Sequence, residues 1–147
     1  MEIQNSFEYI ILIFIFSALA AVFIYKMSVI RQAAQFNLPA QLPWEGIRVP
    51  SLSIFRSVRG LGLLSLSDNN MNPRLILYEN RLEYRVLFTN TIDYDQIERI
   101  QAVSWGCLHF LRFLLKDRNM TVGVRFSNVR IRDDLAAFFR QKGIEIN

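Results

Sequence analysis

Residues 7–25, FEYIILIFIFSALAAVFIY, form the most apolar stretch of this 147-residue chain. From Tyr9 to Tyr25 the stretch has no charged residue and no proline, and its apolar side chains would surround a helix on all sides. A helix from Phe7 to Met27 would be about 30 Å long, the thickness of the hydrocarbon core of a bilayer. The stretch therefore predicts one transmembrane helix. Its membrane-spanning positions include Phe7, Tyr9, Ile13, Ser17, Ala21 and Tyr25.

Two other interpretations of this stretch are a cleaved signal peptide and a buried core helix. Residues 17–21, SALAA, contain the Ala-x-Ala pattern of a cleavage site, but the residues before the apolar run offer two glutamates and no basic residue. The run also continues past this pattern to Tyr25 and then meets Lys26 and Arg31. These features favour a retained anchor.

The charges beside the span predict its orientation. Lys and Arg concentrate on the cytoplasmic side of a transmembrane helix, and here Lys26 and Arg31 form the cytoplasmic flank. All 17 Lys and Arg of the chain follow the apolar stretch. We therefore expect a single-pass protein of the inner (plasma) membrane, with its N-terminus outside and its C-terminal domain in the cytoplasm.

The remaining chain divides into a linker and one domain. Residues 1–27 are the predicted anchor, 28–46 a juxtamembrane linker containing Pro39, Pro43 and Gly46, and 47–147 a domain of typical size. Trp44 in the linker is expected either at the lipid headgroups or packed on the domain core.

A period of two in the apolar residues predicts that the domain begins with antiparallel strands. Short strands are expected at 47–49, 52–58 and 61–66, a loop at 67–73, and hairpins within 74–88 and 107–126. The second arm of the first hairpin should bury Leu82, Tyr84, Val86 and Phe88. Within the second hairpin, the arm 107–115 is apolar enough for a central strand covered on both faces, and Gly123 suggests a bend or a close approach.

The chain then ends in an amphipathic helix. Ile131, Leu135, Phe138 and Phe139 fall on one helical face, and Asp133 and Asp134 are expected in the first turn. The predicted fold class is α+β. It comprises an N-terminal transmembrane helix, then a mainly antiparallel β barrel or sandwich that the C-terminal helix caps.

Candidate catalytic groups are scarce in the sequence. The single cysteine, Cys107, excludes an internal disulfide and lies two residues before the single histidine, His109. Apolar neighbours favour a buried thiol beside an ordinary strand histidine over a catalytic pair. Phosphate-loop, zinc-protease and nucleophile-elbow motifs are missing, so we predict no enzyme, no cofactor and no metal site.

Three segments resemble the pleckstrin-homology-like (PH-like) domains of membrane-anchored bacterial proteins. They are LILYENRLEYRV (75–86), IDYDQIERIQAV (92–103) and RDDLAAFFRQKGI (132–144), so the resemblance covers residues 74–146. It departs from the family at the turn, where Glu-Asn-Arg replaces an Asp-Gly type, and at 47–66. The resemblance implies a PH-like barrel that serves in protein interaction or scaffolding, and it brings no catalytic residues.

Two functions follow as expectations. The first is a cytosolic module that docks a protein partner of unknown identity, through exposed apolar side chains such as Leu87 or a free strand edge. The alternative is the binding of anionic lipid headgroups by arginines at the barrel mouth. The candidate lipid-facing residues are Arg48, Arg56, Arg59 and Arg74.

Other partners follow from the charge and from the anchor. The basic residues are spread singly and form no tract, which argues against nucleic acid as a partner. Association of copies through the small residues Ser17 and Ala21 stays open, and the lipid bilayer itself is the remaining expected partner.

Overall fold

The computed structural model describes residues 2–60, 67–69, 71–116 and 118–147. The predicted strand at 61–66 lies outside these residues. The described chain is α+β, with an N-terminal apolar helix, two β-sheets and a C-terminal helix.

The first helix, α1 (Glu2–Gln35), is long and apolar enough to cross a membrane. No residue of its apolar 18-residue window is buried, which argues against a core helix. The helix continues through residues 28–35 and ends before Pro39, whose ring would clash with a preceding helical turn. Val29 and Ala33, near its end, are buried against the domain.

The described strands form a four-stranded and a six-stranded sheet. The first has the order β1-β4-β5-β6 and the second the order β10-β7-β8-β9-β2-β3. The strands are β1 (Ile47–Val49), β2 (Ser53–Val58), β3 (Ser67–Asn69), β4 (Arg74–Leu77), β5 (Arg81–Arg85), β6 (Thr89–Asp93), β7 (Ile97–Trp105), β8 (Leu108–Leu115), β9 (Met120–Phe126) and β10 (Glu145–Ile146).

All described strand pairs are antiparallel except β10 with β7, which is parallel. No described strand joins the two sheets, so the expected barrel is not closed. Apolar side chains from outside the sheets complete the core instead. They come from α2 (Val129–Gln141) and from Ala33, Phe36, Leu38 and Leu42.

The C-terminal helix lies where the sequence predicts it, with Ile131, Leu135 and Phe139 fully buried. It begins earlier than expected, because the side chain of Asn128 caps it by accepting a hydrogen bond from the backbone N–H of Arg130. Asp133 and Asp134 therefore fall beyond the first turn, and their predicted placement is wrong.

Two further predictions about the strands are corrected. The expected loop at 67–73 contains the edge strand β3, which pairs with β2. Strand β5 ends at Arg85, so Phe88 lies in a turn and is 79% exposed instead of buried. The central position of β8 is confirmed, since apolar residues on both of its faces are buried, among them Phe110 and Leu111.

Candidate functional site

The domain lies directly beside α1 where the helix leaves the predicted span. Lys26 of the predicted cytoplasmic flank donates a hydrogen bond of 2.7 Å to the backbone carbonyl of Leu52, whereas Arg31 is exposed. Closer to the N-terminus, Met71 faces Ala18, Ala21, Val22 and Tyr25 of α1 across a groove of about 340 Å³. A loop of the domain thus reaches the part of α1 predicted to lie in the bilayer.

The predicted membrane-spanning positions all lie on α1. All but Tyr25 are exposed, and Tyr25 is half-buried beside Met71. Exposed apolar side chains around a helix are stable when they face lipid, so this distribution is compatible with a span.

The loop that carries Met71 is fastened to the end of β5. The Asn69 side chain donates hydrogen bonds to the carbonyls of Asn72 (2.9 Å) and Arg85 (3.1 Å). Arg74 and Arg85 are direct partners across β4 and β5. The loop before Arg74 and the turn after Arg85 therefore leave the same end of the sheet.

This end carries exposed apolar and basic residues together. Met71, Leu87 and Phe88 are 69%, 71% and 79% exposed, and Arg74 and Arg85 are exposed behind them. We call these five residues the membrane-end surface. Among the described residues, neither Arg74 nor Arg85 forms an ion pair. This surface combines apolar contact with the capacity to bind an anion.

The four arginines predicted from the sequence divide between the two sheets. Arg48 and Arg74 lie on the outer face of the four-stranded sheet, since Arg48 pairs with Ile76, two residues beyond Arg74. Arg56 and Arg59 belong to β2 and the turn that follows it in the other sheet. The four do not form one cluster.

Arg56 and Arg59 already have partners within the domain. Arg56 donates to the sulfur of Met120 at 3.4 Å. Arg59 forms an ion pair of 2.6 Å with Glu98, and this hydrogen bond lowers the pKa of the Glu98 carboxyl. Both arginines are therefore less available to a ligand than Arg74 and Arg85.

A second exposed surface lies at the opposite end of the four-stranded sheet. Trp44 is 88% exposed, so it does not pack on the domain core as one alternative expected. It stands on a turn closed by a hydrogen bond of 2.8 Å from Gly46 N–H to the Pro43 carbonyl. Gly46 has φ +76°, and a Cβ there would lie 2.7 Å from Ile76. The turn therefore requires glycine.

Trp44 borders a groove of about 350 Å³. We call this the Trp44 groove. It is lined by Leu42, Pro43, Trp44, Tyr78, Glu79, Asn80 and Arg81. The guanidinium of Arg81 lies 4.6 Å from the centre of the Tyr78 ring, a cation–π contact that orients both side chains.

The hairpin turn that lines this groove is held in place by residues from the β6–β7 connection and from the C-terminal helix. The buried Tyr94 hydroxyl donates a hydrogen bond of 2.6 Å to the Tyr78 carbonyl, and burial raises the Tyr94 pKa above its usual range. The Tyr94 ring packs edge-on against Phe139 at 5.4 Å, and Lys142 forms an ion pair with Glu79. Helix α2 and the residue that follows its end thus support the hairpin side of the Trp44 groove.

The structure corrects the predicted environment of the thiol. Cys107 is exposed in the turn between β7 and β8, because the strand begins only at Leu108. His109 Nδ1 lies 3.1 Å from the Ser104 hydroxyl, which also accepts a hydrogen bond from Arg132. Ser104 therefore links the single histidine to Arg132 of the C-terminal helix.

Acidic and metal-ligating residues are dispersed in the part of the chain that the structure describes. There, no group of three or more His, Cys, Asp and Glu side chains is placed to hold a metal ion.

Comparison of the sequence with family models and with curated proteins finds no match. The two exposed surfaces therefore have to be interpreted from their own chemistry.

Sequence reasoning missed Arg85 and Phe88 at the membrane-end surface. A signal for Phe88 was present: residues 86–90 were expected to hold the end of a strand and a turn, and a shorter strand would have exposed Phe88. The sequence could not show that Arg85 lies opposite Arg74, because strand register depends on the length of the turn between them.

Proposed function

We propose that this protein is a non-catalytic, single-pass membrane protein whose cytosolic domain, a PH-like module, docks a segment of a partner protein in the Trp44 groove. The N-terminus would lie outside the inner (plasma) membrane and residues 26–147 in the cytoplasm. The apolar length of α1 and the basic residues that follow its apolar stretch support this placement.

The observation that carries the proposal is the meeting of Trp44, Tyr78 and Arg81 at one groove. Trp, Tyr and Arg are the residue types enriched at the energetic centres of protein interfaces. Side chains held in place lose little conformational entropy on binding. Here the glycine turn fixes the backbone at Trp44, and a cation–π contact orients Tyr78 and Arg81. The groove is thus prepared for a partner before binding.

The architecture is compatible with a PH-like module. Two mostly antiparallel sheets pack with a C-terminal helix, and the segments that carry the resemblance form β4, β5, β7 and α2. The open barrel and the parallel strand β10 depart from the simplest form of that fold. A PH-like fold suggests a role in protein interaction only by analogy with other proteins. The proposed docking function therefore rests on the Trp44 groove.

The test is a crosslinking pull-down of the full chain from its native membrane. Trp44→Ala and Arg81→Ala should each reduce recovery of the crosslinked partner more than tenfold, the effect of losing about 2 kcal/mol at an interface centre. Trp105→Ala is the matched control, because Trp105 is another tryptophan that is 71% exposed. It should leave recovery unchanged.

A second arm replaces residues 1–25 with an unrelated membrane anchor. The partner should still be recovered, since recognition lies in the domain. Unchanged recovery with Trp44→Ala, or loss of the partner with the exchanged anchor, would contradict the proposal.

A further inference from the structure

Met71, Leu87 and Phe88 are the apolar tips of the membrane-end surface, and Met71 lies beside the part of α1 predicted to be in the bilayer. Met71 faces Ala18 to Tyr25 across a largely apolar groove. Leu87 and Phe88 extend from the same end of the sheet, because Arg74 and Arg85 are direct strand partners. If α1 spans the membrane, it brings these three exposed side chains to the cytoplasmic leaflet.

Arg74 and Arg85 carry two positive charges that no ion pair among the described residues neutralises. Like charges directly opposite each other on neighbouring strands destabilise a sheet. Glu83 lies on the same face of β5, but the ion pair it forms at 3.9 Å is with Arg81, toward the other end of the strand. An anion beside Arg74 and Arg85 would remove this repulsion.

We infer that the membrane-end surface inserts Met71, Leu87 and Phe88 into the cytoplasmic leaflet and binds anionic lipid headgroups through Arg74 and Arg85. This is a second attachment to the bilayer that holds the domain in a fixed orientation. The inference rests on the proposed placement of α1 and does not involve the Trp44 groove.

The order of the residues favours lipid over a protein as the occupant. The apolar tips lie beyond the arginines along both strands, as acyl chains lie beyond headgroups in a leaflet. Aromatic and aliphatic side chains that enter the interface next to basic residues are typical of membrane-surface attachment.

The test uses tryptophan fluorescence of the full chain in vesicles that contain brominated phosphatidylcholine and an anionic phospholipid. Trp44 and Trp105 are replaced by phenylalanine, and Phe88→Trp then supplies the only tryptophan, which we call the tip probe. Phe14→Trp in the same background is the span probe and reports whether α1 crosses the bilayer. The Trp105→Phe variant, which keeps Trp44, reports the opposite end of the sheet.

We expect bromine to quench the tip probe and the span probe strongly and Trp44 little. Quenching of the span probe without the tip probe would overturn the inference and leave the anchor intact. Failure to quench the span probe would instead overturn the proposed placement of α1. Protection of the tip probe from both brominated lipid and aqueous iodide would show that a second copy covers the surface, which also overturns the inference.

The role of the arginines is tested in the Phe88→Trp background. Arg74→Gln and Arg85→Gln should each lower the ratio of inserted to withdrawn tips about fivefold in anionic vesicles, the effect of one basic residue near an anionic surface. Arg140→Gln, which removes an exposed charge from the last turn of α2, should not. Equal quenching of the tip probe with and without anionic lipid would contradict headgroup binding.

Discussion

At the residue scale, Gly123 shows why one position in β9 must lack a side chain. It is the strand partner of Phe55, and a Cβ at Gly123 would lie 2.1 Å from the Phe55 ring. The ring also packs edge-on against Phe110 at 6.1 Å, so it has little freedom to move. The sequence predicted either a bend or a close approach at Gly123, and the close approach is confirmed.

We expect Gly123→Ala to lower the free energy of unfolding by about 1–3 kcal/mol, because the added methyl group overpacks this contact. Thermal unfolding of the full chain in detergent measures the change. In a Phe55→Ala background the same substitution should cost much less, since the ring is gone. An equal cost in both backgrounds would show that the clash is not the cause.

Local sequence patterns predicted most individual helices and strands. Features that depend on pairing between distant parts of the chain could not be predicted. The hairpins β4–β5 and β8–β9 and the helix α2 have strong periodicity and clear turns, and they lie near their predicted positions. Strand β10 is only two residues long and pairs with β7, which lies about forty residues earlier, so no local pattern could reveal it. The distribution of arginines between two sheets was hidden for the same reason.

At the element scale, the end of α1 belongs to the domain as well as to the helix of the predicted anchor. Ala33 is 1% exposed and lies in the core cluster, whereas its neighbour Ala34 is exposed. Arg130 of α2 donates hydrogen bonds to the Phe36 carbonyl (2.5 Å) and to the Asn37 side chain (2.8 Å). The chain is therefore held to the domain directly after α1 ends.

We predict that Ala33→Phe destabilises the full chain by about 1–3 kcal/mol, because the larger ring cannot fit between α1 and the core. Ala34→Phe is the matched control and should change stability by less than about 0.5 kcal/mol. Both changes can be measured by thermal unfolding in detergent. Equal stability of the two variants would mean that α1 does not pack on the domain.

At the scale of the whole molecule, the single cysteine reports the side of the membrane on which the domain lies. Cys107 is exposed, so a membrane-impermeant maleimide should react with it only from the cytoplasmic side. We expect labelling in inverted sealed vesicles and protection in right-side-out vesicles. Cys107→Ser should abolish labelling. The double variant Cys107→Ser with Ser6→Cys should instead be labelled in right-side-out vesicles and protected in inverted vesicles. Labelling of Cys107 in right-side-out vesicles would contradict the proposed orientation.

The most direct test of the whole account asks whether the domain lies beside α1 at the depth of the bilayer. In a Cys107→Ser background, Ala21→Cys and Met71→Cys are combined, and isolated membranes are treated with a short thiol crosslinker. The control pairs Met71→Cys with Phe23→Cys, because Phe23 lies two residues along and on nearly the opposite side of the helix. We predict an intramolecular crosslink for the Ala21 pair and none for the Phe23 pair. Absence of the Ala21 crosslink, or equal crosslinking of both pairs, would show that the domain does not rest against the part of α1 predicted to span the membrane.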